Sequence, residues 1–149
     1  MSELQIETVS EVTAELVEAV NRLLPQLTST PKALSRSDLE AIVATSSALI
    51  IVARCDHELA GMLTLGWFSA PTGPRAFIDD VVVDERYRGQ GIGEALVRSA
   101  LDHARRLKAN TVDLTSRPSR EAANRLYRRI GFQKRETNSY RYRFDAVSE

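Results

Sequence analysis

Val81-Val82-Val83-Asp84-Glu85-Arg86-Tyr87-Arg88-Gly89-Gln90-Gly91-Ile92-Gly93 runs from an unbroken apolar strand into a glycine-rich loop and on into a helix. Glycines at 89, 91 and 93 leave the backbone N–H groups uncovered by side chains. The helix that opens there adds its unpaired N-terminal donors and the positive end of its dipole. The segment therefore reads as a receptor for a diphosphate. Spacing then separates the candidate ligands. A dinucleotide-binding loop of the G-x-G-x-x-G kind would need its third glycine at Glu94 or Leu96, and both positions fail. A P-loop needs Gly-Lys followed by Ser or Thr, which is absent.

Around this segment the chain alternates strands and helices. Leu4 to Val9 alternates apolar and polar residues like a strand. Residues 11–24 carry Val12, Leu16, Val20, Leu23 and Leu24 in a helical stripe. Pro25 and Pro31 bound a short irregular stretch, after which Ser35 or Ser37 caps a second helix bearing Leu39, Ile42 and Val43. Ala48 to Ala53 is a buried strand, and a turn at Asp56 leads into a second from Glu58 to Phe68. Pro71-Thr72-Gly73-Pro74 turns the chain into a third, Arg75 to Val83. Gly91 to Lys108 forms a helix whose apolar face is Ile92, Leu96, Val97, Ala100, Ala104 and Leu107. Thr111 to Thr115 is a short strand, parallel to 75–83 because it follows a strand–helix pair. A further helix starts at Pro118-Ser119 and is capped by Gly131. Phe132 to Glu136 and Ser139 to Phe144 read as a closing hairpin.

The spacing Arg88-x-x-Gly91-x-Gly93 resembles the acetyl-CoA pyrophosphate loop, (Gln/Arg)-x-x-Gly-x-(Gly/Ala), of the GCN5-related N-acetyltransferases. The resemblance extends upstream through Phe77-Ile78-Asp79-Asp80-Val81-Val82-Val83. It continues downstream to Ala123-Asn124-Arg125-Leu126-Tyr127-Arg128-Arg129-Ile130-Gly131-Phe132, which is similar to that family's second CoA-contacting helix. Together these cover roughly the C-terminal half of the chain. The resemblance implies an α/β fold: one domain over residues 1–149, with a mixed, centrally splayed sheet of about seven strands flanked by four helices. It implies acetyl-CoA as cosubstrate, bound by Arg88, Gly89, Gln90, Gly91, Ile92, Gly93 and Glu94, with Arg86 as a further candidate contact. In the family the strand before the loop is bulged and splays from the next parallel strand, and the pantetheine arm enters the gap. Val81, Val82 and Val83 occupy that position here. Asn124 matches a pantetheine contact. Tyr127 matches a residue whose hydroxyl faces the sulfur and can protonate the departing thiolate.

The nucleophile is then a primary amine, which must lose a proton before it attacks. Asp79 and Asp80 are adjacent carboxylates in an otherwise apolar strand, a costly placement unless they are paired or used. Strand alternation sends their side chains to opposite faces. Asp79 is the favoured base and Asp80 the alternative, with the shorter Asp in place of the family's frequent Glu favouring a water relay. A backbone N–H within 81–83 would stabilise the tetrahedral oxyanion. The acceptor is a small-molecule amine or a protein amino group, with residues 25–36, 67–75 and 138–143 around it. Trp67, Phe68, Tyr140 and Tyr142 in those segments either line an aromatic slot or belong to the core.

Composition narrows the alternatives. The formal net charge is zero, with 20 Lys and Arg against 20 Asp and Glu, so nothing implies bulk attraction to nucleic acid or membrane. The charge is uneven: residues 1–74 hold four Lys/Arg and nine Asp/Glu, and residues 75–149 hold sixteen and eleven. The basic half is the one with the phosphate loop. Arg117, Arg120, Arg125, Arg128 and Arg129 lack the interleaved aromatics of a single-strand binder. Cys55 is the only cysteine and is read as an incidental turn residue. His57 and His103 lack metal-ligand spacing, so no metal is expected, and His103 is read as solvated. The absence of a long apolar run and of a signal-like start gives a cytoplasmic expectation. A non-catalytic CoA-binding sensor or partner module is the alternative to an enzyme. The resemblance leaves a homodimer open.

Overall fold

Three strands whose residues alternate or are apolar throughout, joined by two tight turns, make the centre of the molecule. In the computed structural model, which describes residues 3–144, the elements run β1 (Leu4–Thr8), α1 (Ala14–Leu27), α2 (Arg36–Val43), β2 (Ala48–Cys55), β3 (Glu58–Ala70), β4 (Gly73–Val83), a 3-10 turn (Glu85–Tyr87), α3 (Ile92–Arg106), β5 (Thr111–Asp113) and α4 (Glu121–Ile130). The sheet order is β1-β2-β3-β4-β5. The first four strands pair antiparallel and β5 pairs parallel to β4. Asp56 and His57, with φ of 49° and 73°, make the two-residue β2–β3 turn. The chain forms two compact units, Met1–Thr115 and Ser116–Glu149.

In the first unit, helices cover both sheet faces. Thr13 caps α1 by accepting the Leu16 N–H, and Ser35 with Asp38 forms a reciprocal capping box on α2. Leu16, Ala19, Val20 and Leu23 of α1 and Leu39 of α2 pack on Ile50, Val52, Leu59, Met62 and Val82. On the other face α3 buries Ile92, Leu96, Val97, Ala100 and Ala104, and its Ile92 and Leu96 side chains lie against Gly61 of β3. Each fully buried aliphatic side chain contributes about 1.5–3 kcal/mol of transfer free energy.

Several expectations are corrected. Pro25 lies inside the last turn of α1 rather than ending it. The helix still closes, because the Thr28 N–H donates to the Leu24 carbonyl at 3.0 Å. Cys55 is not in a turn; it ends β2 and is only 1% exposed. His103 is half-buried against β1, with Nε2 3.2 Å from the Thr8 hydroxyl and the Arg106 guanidinium 3.1 Å from Nδ1. Burial first, and then the Arg106 charge, lower its pKa.

The sheet has five strands among the described residues, not about seven, because 132–144 form no strand. Tyr140, Tyr142 and Phe144 are 82–92% exposed. A two-stranded ribbon needs a buried apolar face to persist, and these aromatics find none. In the second unit, α4 ends at Gly131, whose φ of 126° suits the cap.

Candidate active site

The β4–β5 pairing is short. Only Arg75, Ala76 and Phe77 are matched, by Thr111, Val112 and Asp113. From Ile78 to Val83 no strand among the described residues pairs with that edge of β4, while its other edge stays bonded to β3. The sheet is thus split where the sequence places Val81-Val82-Val83, and the free edge offers backbone donors and acceptors to an extended ligand. The Val82 side chain is only 2% exposed, packed in the α1–α2 core, so the main chain of this segment is what faces a ligand.

A bulge sits beside the split. The register passes from Thr64↔Asp79 to Met62↔Val82, three steps on β4 against two on β3. Asp80 absorbs the extra residue with a left-handed φ of 52°. The bulge breaks the alternation along β4 beyond Asp80, so that Asp79 and Val82, three residues apart, lie on one face. The Asp80 N–H donates to Asp79 Oδ1 at 2.9 Å. Both residues reach solvent, yet partial desolvation of Asp80, and then the neighbouring Asp79 charge, raise the Asp80 pKa.

Beyond β4 the chain is tied down by a residue that the sequence reading passed over. Asp84 is 1% exposed. Its N–H donates to the Ala60 carbonyl at 2.7 Å, and its carboxylate accepts from the Arg86 N–H at 3.1 Å. The Arg86 guanidinium lies 3.1 Å away and Arg22 Nε, from α1, lies 3.3 Å away. Arg22 also donates to the Leu59 carbonyl at 2.7 Å. Burial alone would raise the Asp84 pKa. The hydrogen bonds and charge of Arg86, with Arg22, outweigh it and hold the carboxyl at about 2. The legible signal was an Asp capping a short helical turn. Arg86, the further candidate phosphate contact, is thereby engaged by Asp84, with Glu58 3.7 Å away. Tyr87 donates its hydroxyl to Glu58, pinning the loop to β3.

The glycine loop then rises clear of this anchor. Gly89 and Gly91 have φ of 80° and 78°, and a Cβ at either would meet no atom within 4 Å. These glycines serve backbone conformation and leave open space in front of the amides. Gly91 is the N-cap of α3 and supplies no side-chain hydrogen bond, so the first amides of a fifteen-residue helix stay uncapped. Ile92 turns its side chain into the core, 2% exposed, leaving only its main chain on this side. Arg88 is exposed, with Nε 3.4 Å from the Val83 carbonyl. Gln90 accepts from the Cys55 thiol at 4.0 Å, Gly93 lies in the first turn of α3, and Glu94 pairs with Arg98 at 2.9 Å. The arrangement suits a polyphosphate held by backbone N–H groups and one flexible arginine.

In the second unit, Asn124 Nδ2 donates to the Arg117 carbonyl at 3.0 Å. Tyr127 is buried and meets Phe132 edge to face at 5.9 Å. Burial raises its pKa, with Arg120 opposing, so its phenol stays protonated near neutrality.

Residues 15–132 match the model of the Acetyltransferase (GNAT) family. An N-alpha-acetyltransferase RimI of Mycobacterium tuberculosis is 42% identical over 57 residues, 38% of this chain and 34% of that one. A spermine/spermidine N(1)-acetyltransferase of Bacillus subtilis is 35% identical over 60 residues, 40% of each chain. The matches thus span well under half the length of these curated relatives. Among solved structures, a glucosamine-6-phosphate N-acetyltransferase from Arabidopsis thaliana superposes with a TM-score of 0.80 at 22% identity, covering 96% of this chain and 99% of that one, which shows a shared fold. The bulged and split sheet, the open glycine loop and a family match across most of the sequence agree: this chain belongs to the acetyltransferase (GNAT) family.

Proposed function

We propose that this protein is an acetyl-CoA-dependent N-acetyltransferase acting on a primary amine. The observation that carries the reading is the continuity of an open cradle at 88–93 with the unpaired edge of β4 at 78–83. The diphosphate takes the loop amides and the Arg88 charge, and the pantetheine amides take the main chain of Val81 to Val83. The thioester then lies beside the bulge. No metal is needed for this chemistry.

The acceptor arrives as an ammonium ion and loses one proton to Asp80 or Asp79, directly or through water. Burial and the Asp79 charge raise the Asp80 pKa, which suits a base, so Asp80 takes precedence here over the Asp79 favoured from the sequence. The amine nitrogen attacks the thioester carbonyl, forming the N–C bond. A main-chain N–H in 81–83 stabilises the oxyanion. Collapse breaks the C–S bond, and the thiolate takes a proton from the Tyr127 hydroxyl while the nitrogen sheds its second proton. The products are the N-acetyl amine, CoA and a net proton. Tyr127 holds this role by its match to the family motif and its protonated phenol; Asn124 holds the pantetheine contact by the same match.

The acceptor class is a small-molecule amine or a protein amino group. The curated relatives bear names of both kinds. No described helix is long and apolar enough to cross a membrane, and we assign the reaction to the cytoplasm. The test is release of free CoA from acetyl-CoA across polyamines, amino sugars, amino acids and peptide N-termini. Turnover with at least one class, lost in Tyr127→Phe at unchanged CoA affinity, supports the reading. Binding of acetyl-CoA without turnover on any class defeats the enzymatic part of it.

A further inference from the structure

One apolar patch on the sheet is left uncovered. Phe68 and Phe77 are 49% and 42% exposed. Their rings meet edge to face at 6.2 Å. Phe77 lies flat enough over its register partner Gly66 that a Cβ there would sit 3.0 Å from the ring. Register partners share a sheet face, so Thr64, Gly66 and Phe68 of β3 lie on one surface with Asp79, Phe77 and Arg75 of β4. The β5 partner of Phe77 is Asp113, on the same surface.

The charges around the aromatic rings are ordered. Arg75 closes the far end: its guanidinium lies 5.6 Å from the Phe68 centroid and donates to the Thr72 hydroxyl. Asp79 and Asp113 share the Phe77 surface at the near end, Asp80 follows in the bulge, and none of the three takes part in an ion pair among the described residues. An exposed ring flanked by unpaired carboxylates favours a cation over the ring face. From Phe77 to Asp79 the strand advances about 7 Å, roughly the reach of a four-carbon chain.

We propose that this Phe68–Phe77 face is the acceptor site, and that it selects amines carrying a second positive charge about four carbons from the reacting nitrogen. The reacting nitrogen lies at Asp79 and Asp80, beside the split edge, and the second ammonium lies over Phe77 next to Asp113. An acceptor with an anionic tail meets the Asp113 carboxylate instead and is rejected. The assignment rests on the acetyltransferase reading for the position of the reacting nitrogen, but the cation site stands on the face itself.

The test is calorimetry on the full chain, with and without saturating CoA, using 1,4-diaminobutane, 1-aminobutane and 4-aminobutanoate. The diamine should bind about tenfold more tightly than the monoamine, the scale of one cation–π contact and one ion pair, with 4-aminobutanoate weakest. Asp113→Asn should reduce the diamine preference to twofold or less, and Phe77→Leu should weaken diamine binding several-fold, with CoA affinity in the wild-type range for both. Equal affinities for the three ligands, or a preference untouched by Asp113→Asn, overturn the proposal. So does light scattering that finds a dimer dissociated by Phe68→Ser, because the face would then be covered by a second copy. Failure of CoA to bind while the diamine preference persists counts against the acetyltransferase reading alone; normal CoA binding with no diamine preference counts against the acceptor site alone.

Discussion

Asp84 is where stability and cofactor binding meet, and its replacement has a calculable effect. The carboxyl sits at about 2 in the folded chain against an ordinary Asp value of 3.8. At about 1.4 kcal/mol per pKa unit, the charged form is favoured by on the order of 2 kcal/mol in the fold. A carboxyl depressed by folding contributes fully above its unfolded value, and that contribution is lost as pH falls through the folded one. Asp84→Asn at pH 7 removes it and leaves the Arg22 guanidinium, whose side chain is 35% exposed, with half its partners gone. Water can reach that guanidinium, so the expected cost is about 2–4 kcal/mol, at the lower end of what breaking a buried pair costs. Urea titration should show a midpoint drop of about 1 M or more. The gap between wild type and variant should be constant from pH 7 to 5 and narrow by about 1 kcal/mol at pH 3. A gap unchanged down to pH 3, or no gap at pH 7, would show that Asp84 does not bind the loop to α1 and β3 as a charged anchor.

Other outcomes follow from the same geometry. Gly91→Ala forces a Cβ onto a left-handed residue at a cost of about 1 kcal/mol and should weaken CoA binding at least tenfold by calorimetry while the fold survives. Tyr127→Phe should lower kcat strongly with little change in CoA affinity, and a normal kcat would remove Tyr127 from the proton path. If Asp80 is the base, its raised pKa places the acid limb of kcat/KM above the ordinary value of an Asp, and Asp80→Asn should abolish that limb. His103 has a lowered pKa, so the folded chain binds its proton less readily than the unfolded one. Thermal melts should fall as pH drops below about 6.5, and His103→Gln should flatten that decline.

Much of this was legible in the residues because the signals are local. The β2–β3 and β3–β4 turns, the apolar stripe of α3 and the parallel direction of β5 each depend on a few neighbouring side chains. The open loop at 88–93 was legible for the same reason, since glycines at 89 and 91 mark a backbone held at positive φ. What was not legible depends on partners distant in sequence. Asp84 takes its meaning from Arg22, sixty-two residues away. The bulge that places Asp79 with Val82 follows from the pairing of β4 with β3, which alternation within β4 alone does not reveal. His103 read as solvent-facing until β1 supplied Thr8. The hairpin expected at 132–144 failed in the opposite direction: alternating aromatics suggest a strand, but the pattern does not specify a surface to cover them.

Main-chain amides at 88–93 are proposed to bind the twin phosphates of CoA. Calorimetry comparing CoA with pantetheine, which shares the arm but lacks the diphosphate, addresses it directly. CoA should bind and pantetheine should bind at least a hundredfold more weakly, with the difference largely lost in Gly91→Ala. Equal affinity for the two ligands, or no heat with CoA at all, would contradict it.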